Sequence, residues 1–154
     1  MIYADPSFLF SFYCKDANSP IAVTTYRADQ RRPLLLTGWQ SFEFKNAVRL
    51  AEHKLKRSGA QVPFQIGNVF KDFQDGLQSG RLQHAEVDWL ENFHLANQLS
   101  ERHTASAGTG AVDVWHVAAA ILLKADTFWT FDADQRKLAG QTKFFKKLPE
   151  LLGT

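Results

Sequence analysis

Short apolar runs alternate with longer amphipathic segments along the chain, and this alternation constrains the fold more than any other feature of the sequence. Strands are predicted at residues 2–4, 34–36, 82–87 and 127–131. No hairpin signal such as Asn-Gly joins two of them, and each gap holds one or two helical patterns. This order predicts an α/β fold in which a central parallel sheet is covered by helices on both faces.

Capping signals and apolar periodicity locate the helices. Asp5-Pro6 and Ser19-Pro20 each join a capping side chain to a proline suited to the first helical position. The residues from Thr37 to Gln40 have the spacing of a capping box. The predicted helices cover residues 6–13, 19–31, 38–57, 66–77, 89–103, 113–124 and 132–139, with a loop of small residues at 105–111.

Length and composition favour one intracellular domain spanning residues 1–154. Cys14 is the single cysteine, so an intramolecular disulfide is excluded and a cysteine-built zinc site is disfavoured. The longest apolar runs, such as residues 117–123, are too short to cross a membrane. No basic segment followed by an apolar segment begins the chain, because Asp5 lies near its start, so a leader peptide is not expected. A cytoplasmic location is therefore expected, whereas the net charge of +2 says little about partners.

Four acidic residues follow strands or open helices: Asp5, Glu43, Asp113 and Asp132. In an open parallel sheet, ligands bind beyond the carboxyl ends of the strands. The predicted fold therefore gathers these four side chains at one edge of the sheet.

Asp113 and His116 are the only polar side chains of an otherwise apolar helix before Lys124. They are three residues apart and so share one face. Either Asp113 belongs to a site, or it only caps its helix; the sequence leaves both interpretations open. For His116, a hydrogen-bonded core histidine is the preferred interpretation.

The other acids also have structural interpretations. Asp132 could cap the last helix, and Thr130, on the same strand face, could orient its carboxylate. Asp134 is expected to be a solvated first-turn acid, although it could join the site. Taken alone, Glu43 would be a surface residue paired with Lys45 or Lys54, and Asp5 would be a cap before Pro6.

The four acids together suggest a metal site. Two carboxylates about 4 Å apart repel by about 4 kcal/mol at an effective dielectric constant of about 20. Four carboxylates gathered together therefore need either raised pKa values or a cation among them. Oxygen ligands without cysteine or clustered histidine favour Mg²⁺ or Mn²⁺, which bind phosphates and activate water.

At these residues the sequence resembles the PIN-domain family, and in particular the VapC-type toxin ribonucleases. Four segments carry the resemblance in the family's order: Ile2-Tyr3-Ala4-Asp5-Pro6-Ser7, then Thr37 with Glu43 and Asn46, then Asp113-Val114-Trp115-His116-Val117-Ala118-Ala119-Ala120, and Thr130-Phe131-Asp132 with Lys137-Leu138-Ala139. The resemblance implies a Rossmann-like α/β/α sandwich and a Mg²⁺- or Mn²⁺-dependent endoribonuclease. It assigns both metal binding and catalysis to Asp5, Glu43, Asp113 and Asp132.

The resemblance also implies partners: an RNA substrate, a cognate antitoxin and a second copy in a homodimer. Two basic groups could contact RNA, one on the helix at 38–57 and one in the tail, although a solvated face is the preferred interpretation of each. Their members are Lys45, Arg49, Lys54, Lys56 and Arg57, and Arg136, Lys137, Lys143, Lys146 and Lys147. The alternatives to a toxin are an RNA-processing nuclease of the same family and a catalytically silent module that binds RNA or protein.

Overall fold

Four short parallel strands form the centre of the molecule in the computed structural model, which describes residues 1–30 and 32–148. They are β1 (Ile2–Ala4), β2 (Leu34–Leu36), β3 (Leu82–His84) and β4 (Thr127–Trp129). Their order in the sheet is β3-β2-β1-β4, and every neighbouring pair is parallel. The predicted α/β architecture with a central parallel sheet is therefore confirmed.

Helices cover both faces of this sheet. Within the described ranges they are α1 (Pro6–Tyr13), α2 (Ser19–Ala28), α3 (Gly38–Arg57), α4 (Ile66–Gln78), α5 (Trp89–Ala107), α6 (Ala111–Leu122) and α7 (Ala133–Thr142). Helices α1 to α4 share one core with Ile2 and Leu34, whereas α5 to α7 share a second core with Tyr3 and Phe128. Successive strand residues point to opposite faces, so strands buried on both faces read as continuous apolar runs.

The strand order places a topological switch at β1. The chain passes from β1 through β2 to β3 in one direction, and it then returns to β4 on the other side of β1. Open parallel sheets form their ligand crevices at such a point, outside the carboxyl ends of the strands. Asp5 follows β1 directly, and Asp132 follows β4 by three residues.

Two strands are shorter than the sequence predicts. The predicted strands at 82–87 and 127–131 end at His84 and Trp129. Each stops where its neighbour in the sheet stops. Strand β3 pairs with Leu34–Leu36, and β4 pairs with Ile2–Ala4 besides a single bridge from Thr127 to Lys147. Beyond those residues the neighbouring chain turns into a helix, so no ladder of hydrogen bonds can continue.

Several helix boundaries also differ from the prediction. Helix α2 ends at Ala28 because Gln30 has a positive φ of 59°, which a helix cannot contain; the predicted end, Arg31, lies outside the described residues. Helix α5 continues to Ala107, because alanine is a strong helix former, and Gly108 ends it at φ 75°. The loop predicted at 105–111 therefore shrinks to 108–110, and α6 begins at Ala111 instead of Asp113.

Helix α6 is largely buried, as its apolar sequence predicts. Every residue from 114 to 120 is buried, and the helix contacts both α5 and α7. Across residues 1–30 and 32–148, the structure contains no helix with the length and apolar character needed to cross a membrane.

Gln40 joins the start of α3 to the central strand. The predicted capping box is present: the Thr37 hydroxyl accepts from the Gln40 N–H at 3.1 Å, and Gln40 Oε1 accepts from the Thr37 N–H at 2.7 Å. Gln40 Nε2 also donates to the carbonyl of Ala4 at 2.7 Å. Since Ala4 precedes Asp5 and Gln40 lies one turn before Glu43, this buried side chain sets the position of one acid relative to the other.

We expect Gln40→Met to lower the free energy of unfolding by about 1–3 kcal/mol, because methionine keeps the volume but removes the buried hydrogen bonds. Urea unfolding measures the change. Gln98→Met, at an exposed position of α5, is the matched control and should stay within about 0.5 kcal/mol of the wild type. Equal effects of the two substitutions would contradict the positioning role of Gln40.

Candidate functional site

Asp5 is a buried carboxylate at the end of the central strand. Its side chain is 3% exposed, and Oδ1 accepts from the Ser7 hydroxyl at 2.7 Å and from the Phe8 N–H at 2.9 Å. The second bond is the N-terminal cap of α1, so the structural role expected of Asp5 is present. Burial raises the pKa of Asp5 to about 6, even though these hydrogen bonds and the nearby His116 favour the ionised form.

Ser7 and Thr130 connect Asp5 to the chain that leaves β4. The Ser7 hydroxyl donates to Asp5, accepts from the Phe131 N–H at 2.9 Å and lies 3.4 Å from Thr130 Oγ1. Thr130 Oγ1 in turn accepts from the Asp132 N–H at 2.9 Å. Thr130 therefore orients the backbone of Asp132, where the sequence suggested that it could orient the carboxylate.

Asp132 and Asp113 face each other across Gln135. Asp132 Oδ1 accepts from the Gln135 N–H at 2.8 Å and caps α7, as the structural interpretation predicted. The Gln135 side chain is 1% exposed, and its Nε2 donates to Asp113 Oδ1 at 3.4 Å. One continuous set of contacts thus runs from Asp5 through Ser7, Thr130, Asp132 and Gln135 to Asp113.

Asp113 is the third residue of α6 and not its N-cap, which is Gly110. The Gly110 N–H nevertheless lowers the pKa of its carboxyl, in the position that the third residue of a capping box occupies. Burial raises the pKa of Asp113 above its usual range, and the charges of Asp132 and Glu43 raise it further, against the opposing effects of Gly110 and His116. Helix capping and proximity to the other acids therefore coexist at this residue.

His116 bridges Glu43 to the core. Its ring is 1% exposed, with Nε2 at 2.7 Å from Glu43 Oε2 and Nδ1 at 2.7 Å from the hydroxyl of Tyr3. Burial, followed by the charges of Asp5 and Glu43, raises the pKa of Tyr3 well above its usual value, so this hydroxyl keeps its proton. With a neutral imidazole, Tyr3 donates to Nδ1 and the Nε2–H donates to Glu43. A protonated imidazole would donate through both nitrogens, and it is this state that favours ionised Asp5 and Asp113.

The predicted surface pairing of Glu43 with Lys45 or Lys54 does not occur in the described structure. Glu43 is 33% exposed and bonds His116, while Lys45 lies over the ring of Phe73 at 5.5 Å. His116 is a hydrogen-bonded core histidine, as its preferred interpretation had it, but its partner is one of the four acids. Asp134 is exposed, in agreement with a solvated first-turn acid.

The four acids do not form a closed metal cage. Within residues 1–30 and 32–148, no three or more His, Cys, Asp or Glu side chains stand together closely enough to hold a metal ion. Each acid is instead held by protein donors, most of them uncharged: hydroxyl groups, backbone N–H groups and the Gln135 amide. A cation bound among them would replace some of these bonds at the carboxylate oxygens.

The sequence matches no model of a known protein family, and no curated protein matches it. The resemblance to PIN domains therefore stays a prediction.

An aromatic surface adjoins the acids on the side of α5 and α6. It encloses a cavity of about 220 Å³, and Phe42, Trp89 and Phe93 are each more than half exposed. We call this surface the aromatic face; its members are Trp39, Phe42, Trp89, Phe93, Val112 and Trp115. An exposed apolar patch of this kind is typical of a contact surface for another molecule.

Gln135 and Tyr3 are the two site residues that the sequence analysis missed. The spacing of Asp132 and Gln135 matches an N-terminal capping pattern, so it could have drawn attention to Gln135. Its side chain, however, departs from that pattern and bonds a different helix. No local signal identifies Tyr3, which reads as an ordinary buried strand residue.

The buried carboxyl of Asp5 predicts a pH dependence of stability. Its pKa is about 6 in the folded chain and 3.8 without burial, so folding favours the protonated form. The contribution of Asp5 to the free energy of unfolding is therefore largest below about pH 4, and it is lost as the pH rises through about 6. At pH 8 in chelator, Asp5→Asn should therefore be more stable than the wild type by up to about 3 kcal/mol.

Urea unfolding between pH 4 and pH 8 tests this expectation. The advantage of Asp5→Asn should disappear near pH 4, because asparagine and the protonated carboxyl are then equally uncharged. Asp134→Asn, at an exposed position, should show no such advantage. A loss of stability in Asp5→Asn at pH 8 would mean that the Asp5 charge is compensated within the protein.

Proposed function

We propose that the protein is a Mg²⁺- or Mn²⁺-dependent endoribonuclease whose site consists of Asp5, Glu43, Asp113 and Asp132. One observation carries the proposal. Acids from four separate segments lie at the switch point of a parallel sheet. Hydrogen bonds through uncharged groups link Asp5, Asp132 and Asp113, and Glu43 bonds His116 on the same helix as Asp113. The family resemblance at the same four residues gives the reaction class.

The donor set suits a hard divalent cation. All four side chains are carboxylates, which Mg²⁺ and Mn²⁺ prefer over nitrogen and sulfur ligands. Since the acids stand too far apart in the described structure to hold an ion together, binding would have to draw them closer. Asp5 and Asp113 would then hold the first ion, and Glu43 and Asp132 would complete the site directly or through water. A bound divalent cation supplies activation of water and compensation for negative charge on a phosphodiester.

The surrounding residues position these ligands. Ser7 and the Phe8 N–H fix Asp5 Oδ1, Gln135 joins Asp113 to the start of α7, and His116 holds Glu43 from the opposite side. Substitution of His116 or Gln135 would therefore act through Glu43 or Asp113, and these two are positioning residues in the proposed mechanism.

Cleavage of RNA by the purified protein tests the proposal. We expect cleavage with Mg²⁺ or Mn²⁺, none in excess chelator, and a fall of about a hundredfold or more in kcat for Asp113→Asn. Asp134→Asn is the matched control: it removes an acid next to the site and should keep wild-type activity. Undiminished cleavage in chelator would exclude the metal mechanism.

Thermal unfolding provides a second measurement that does not depend on turnover. Mn²⁺ should raise the Tm of the wild type, because a ligand that binds only the folded state stabilises it, and should hardly change that of Asp113→Asn. In chelator, Asp113→Asn should be at least as stable as the wild type, since it relieves repulsion from Asp132. An Mn²⁺ response equal to that of the wild type would remove Asp113 from the metal site.

The resemblance further suggests that the nuclease is a toxin held inactive by an antitoxin, and that it forms a homodimer. The aromatic face supports a protein partner, because its exposed side chains are large, apolar and next to the acids. An RNA-processing nuclease outside a toxin pair is the alternative. A module that binds RNA or protein without cleavage would share the acids but lack turnover.

Growth and coexpression separate the toxin from these alternatives. Expression of the wild type should arrest growth, and a small protein encoded next to its gene should bind it and restore growth. Phe93→Glu, which places a charge on the aromatic face, should weaken that binding at least about tenfold while RNA cleavage persists. Unchanged growth during expression of an active nuclease would favour the RNA-processing role.

A further inference from the structure

A second groove opens from the acid site on the side of α1 and α2, away from the aromatic face. Ser7 and Glu43 form part of its wall, so it is continuous with the acids through two side chains already described. Its volume is about 350 Å³. Four other lining residues are important for the argument below: Phe10, Phe131, Asp16 and Asn18. We call it the Asn18 groove.

Two aromatic rings of the Asn18 groove are held in fixed orientations. Phe131 stacks on Phe8 with ring centroids 5.7 Å apart and an interplanar angle of 8°. Phe10 packs edge-on against Phe64 at 6.1 Å and 90°. Both rings remain partly exposed. Fixed, partly exposed aromatic rings are the surfaces on which unpaired nucleobases stack in complexes of proteins with single-stranded nucleic acids.

The polar part of the groove contains one amide that is unused by the protein. Asp16 is fully engaged: Oδ1 accepts from the Asn18 N–H and the Ser19 hydroxyl, and Oδ2 accepts from the Ser11 hydroxyl. These bonds fix the loop that carries Asn18. The Asn18 carboxamide itself has no hydrogen-bond partner in the part of the chain that the structure describes, and it does not cap α2. An asparagine amide can both donate to and accept from the edge of a base.

The charges of the groove exclude a phosphate as its main occupant. Asp16 and Glu43 are its charged lining residues, and both are acidic. A phosphate would be repelled there, whereas an uncharged base would not. The cavity of the aromatic face offers the opposite chemistry, because Trp39, Trp89, Phe93 and its other lining residues are apolar. Of the two surfaces that flank the acids, only the Asn18 groove therefore combines partly exposed aromatic rings with an amide that can hydrogen-bond a base.

We propose that the Asn18 groove binds one unpaired nucleobase of an RNA substrate, next to the phosphodiester at the acids. This inference rests on the proposed function. Phe131 or Phe10 stacks on the base, and the Asn18 amide hydrogen-bonds its edge. Since a base held in a duplex cannot enter the groove, the substrate is single-stranded RNA, with a base preference at one position beside the cleaved bond.

Cleavage of a pool of randomised single-stranded RNA in Mn²⁺, followed by sequencing of the products, tests the base preference. The wild type should show a preference at one position next to the cut, and Asn18→Ala should reduce that preference by about tenfold without changing the other positions. Phe131→Leu should raise KM about tenfold for every base, because stacking is tolerant of sequence. Asn97→Ala and Phe144→Leu, at exposed positions elsewhere, are the matched controls.

Binding of a fluorescent single-stranded oligoribonucleotide to the same variants separates the two proposals. If Asn18→Ala keeps the base preference and Phe131→Leu keeps the KM of the wild type, the groove does not bind a base. That result would overturn the groove and leave the nuclease intact. Binding that depends on Asn18 and Phe131 without any cleavage would uphold the groove and overturn the nuclease. Equal cleavage of a duplex of the same sequence would also overturn the groove, because it binds only an unpaired base.

Discussion

The candidate site depends on one costly feature, the burial of the Asp5 carboxylate at the end of the central strand. An ionised carboxylate in such a place is unfavourable unless it is hydrogen-bonded and its charge is compensated. The protein supplies the hydrogen bonds through Ser7 and Phe8, but burial still raises the pKa of Asp5 to about 6. Above that pH the site carries a buried negative charge, and the charges of Asp132 and Glu43 add to the cost of ionising Asp113 at the same site.

The order of the strands explains why the other acids lie near this charge. Because β1 is the central switch strand, the carboxyl ends of β1 and β4 are adjacent, and the helices on the two sides of β1 cover opposite faces of the sheet. Helix α3 contributes Glu43 from one face and α6 contributes Asp113 from the other. His116 connects the two faces through Tyr3 and Glu43. The crevice is therefore a consequence of topology, and a different strand order would separate the same residues.

The sequence predicted the parallel sheet and the placement of Asp5, Glu43, Asp113 and Asp132 at one edge, because strand runs and helix caps are local patterns with a general geometric consequence. It did not predict the partners of those acids. Glu43 lies within reach of lysines on its own helix, yet it bonds a histidine 73 residues away. Gln135 likewise bonds across to another helix. These hydrogen-bond partners are determined by tertiary packing, which cannot be predicted from the local spacing of residues in the sequence.

A comparison of two groups of acids in this chain bears on the proposal that the site at the switch point binds a cation. At the opposite edge of the sheet, Asp29 and Asp126 both bond Arg32, at 2.6 and 3.1 Å, so their charges are compensated by the protein. At the switch point the carboxylates are held mainly by hydroxyl, amide and backbone N–H groups, which fix their positions but leave their charge in place. Acids that only stabilise the fold need the first arrangement, in which a cationic side chain compensates their charge. The second arrangement destabilises the protein by itself, and the divalent cation of the proposed mechanism would offset that cost by binding among the oxygens.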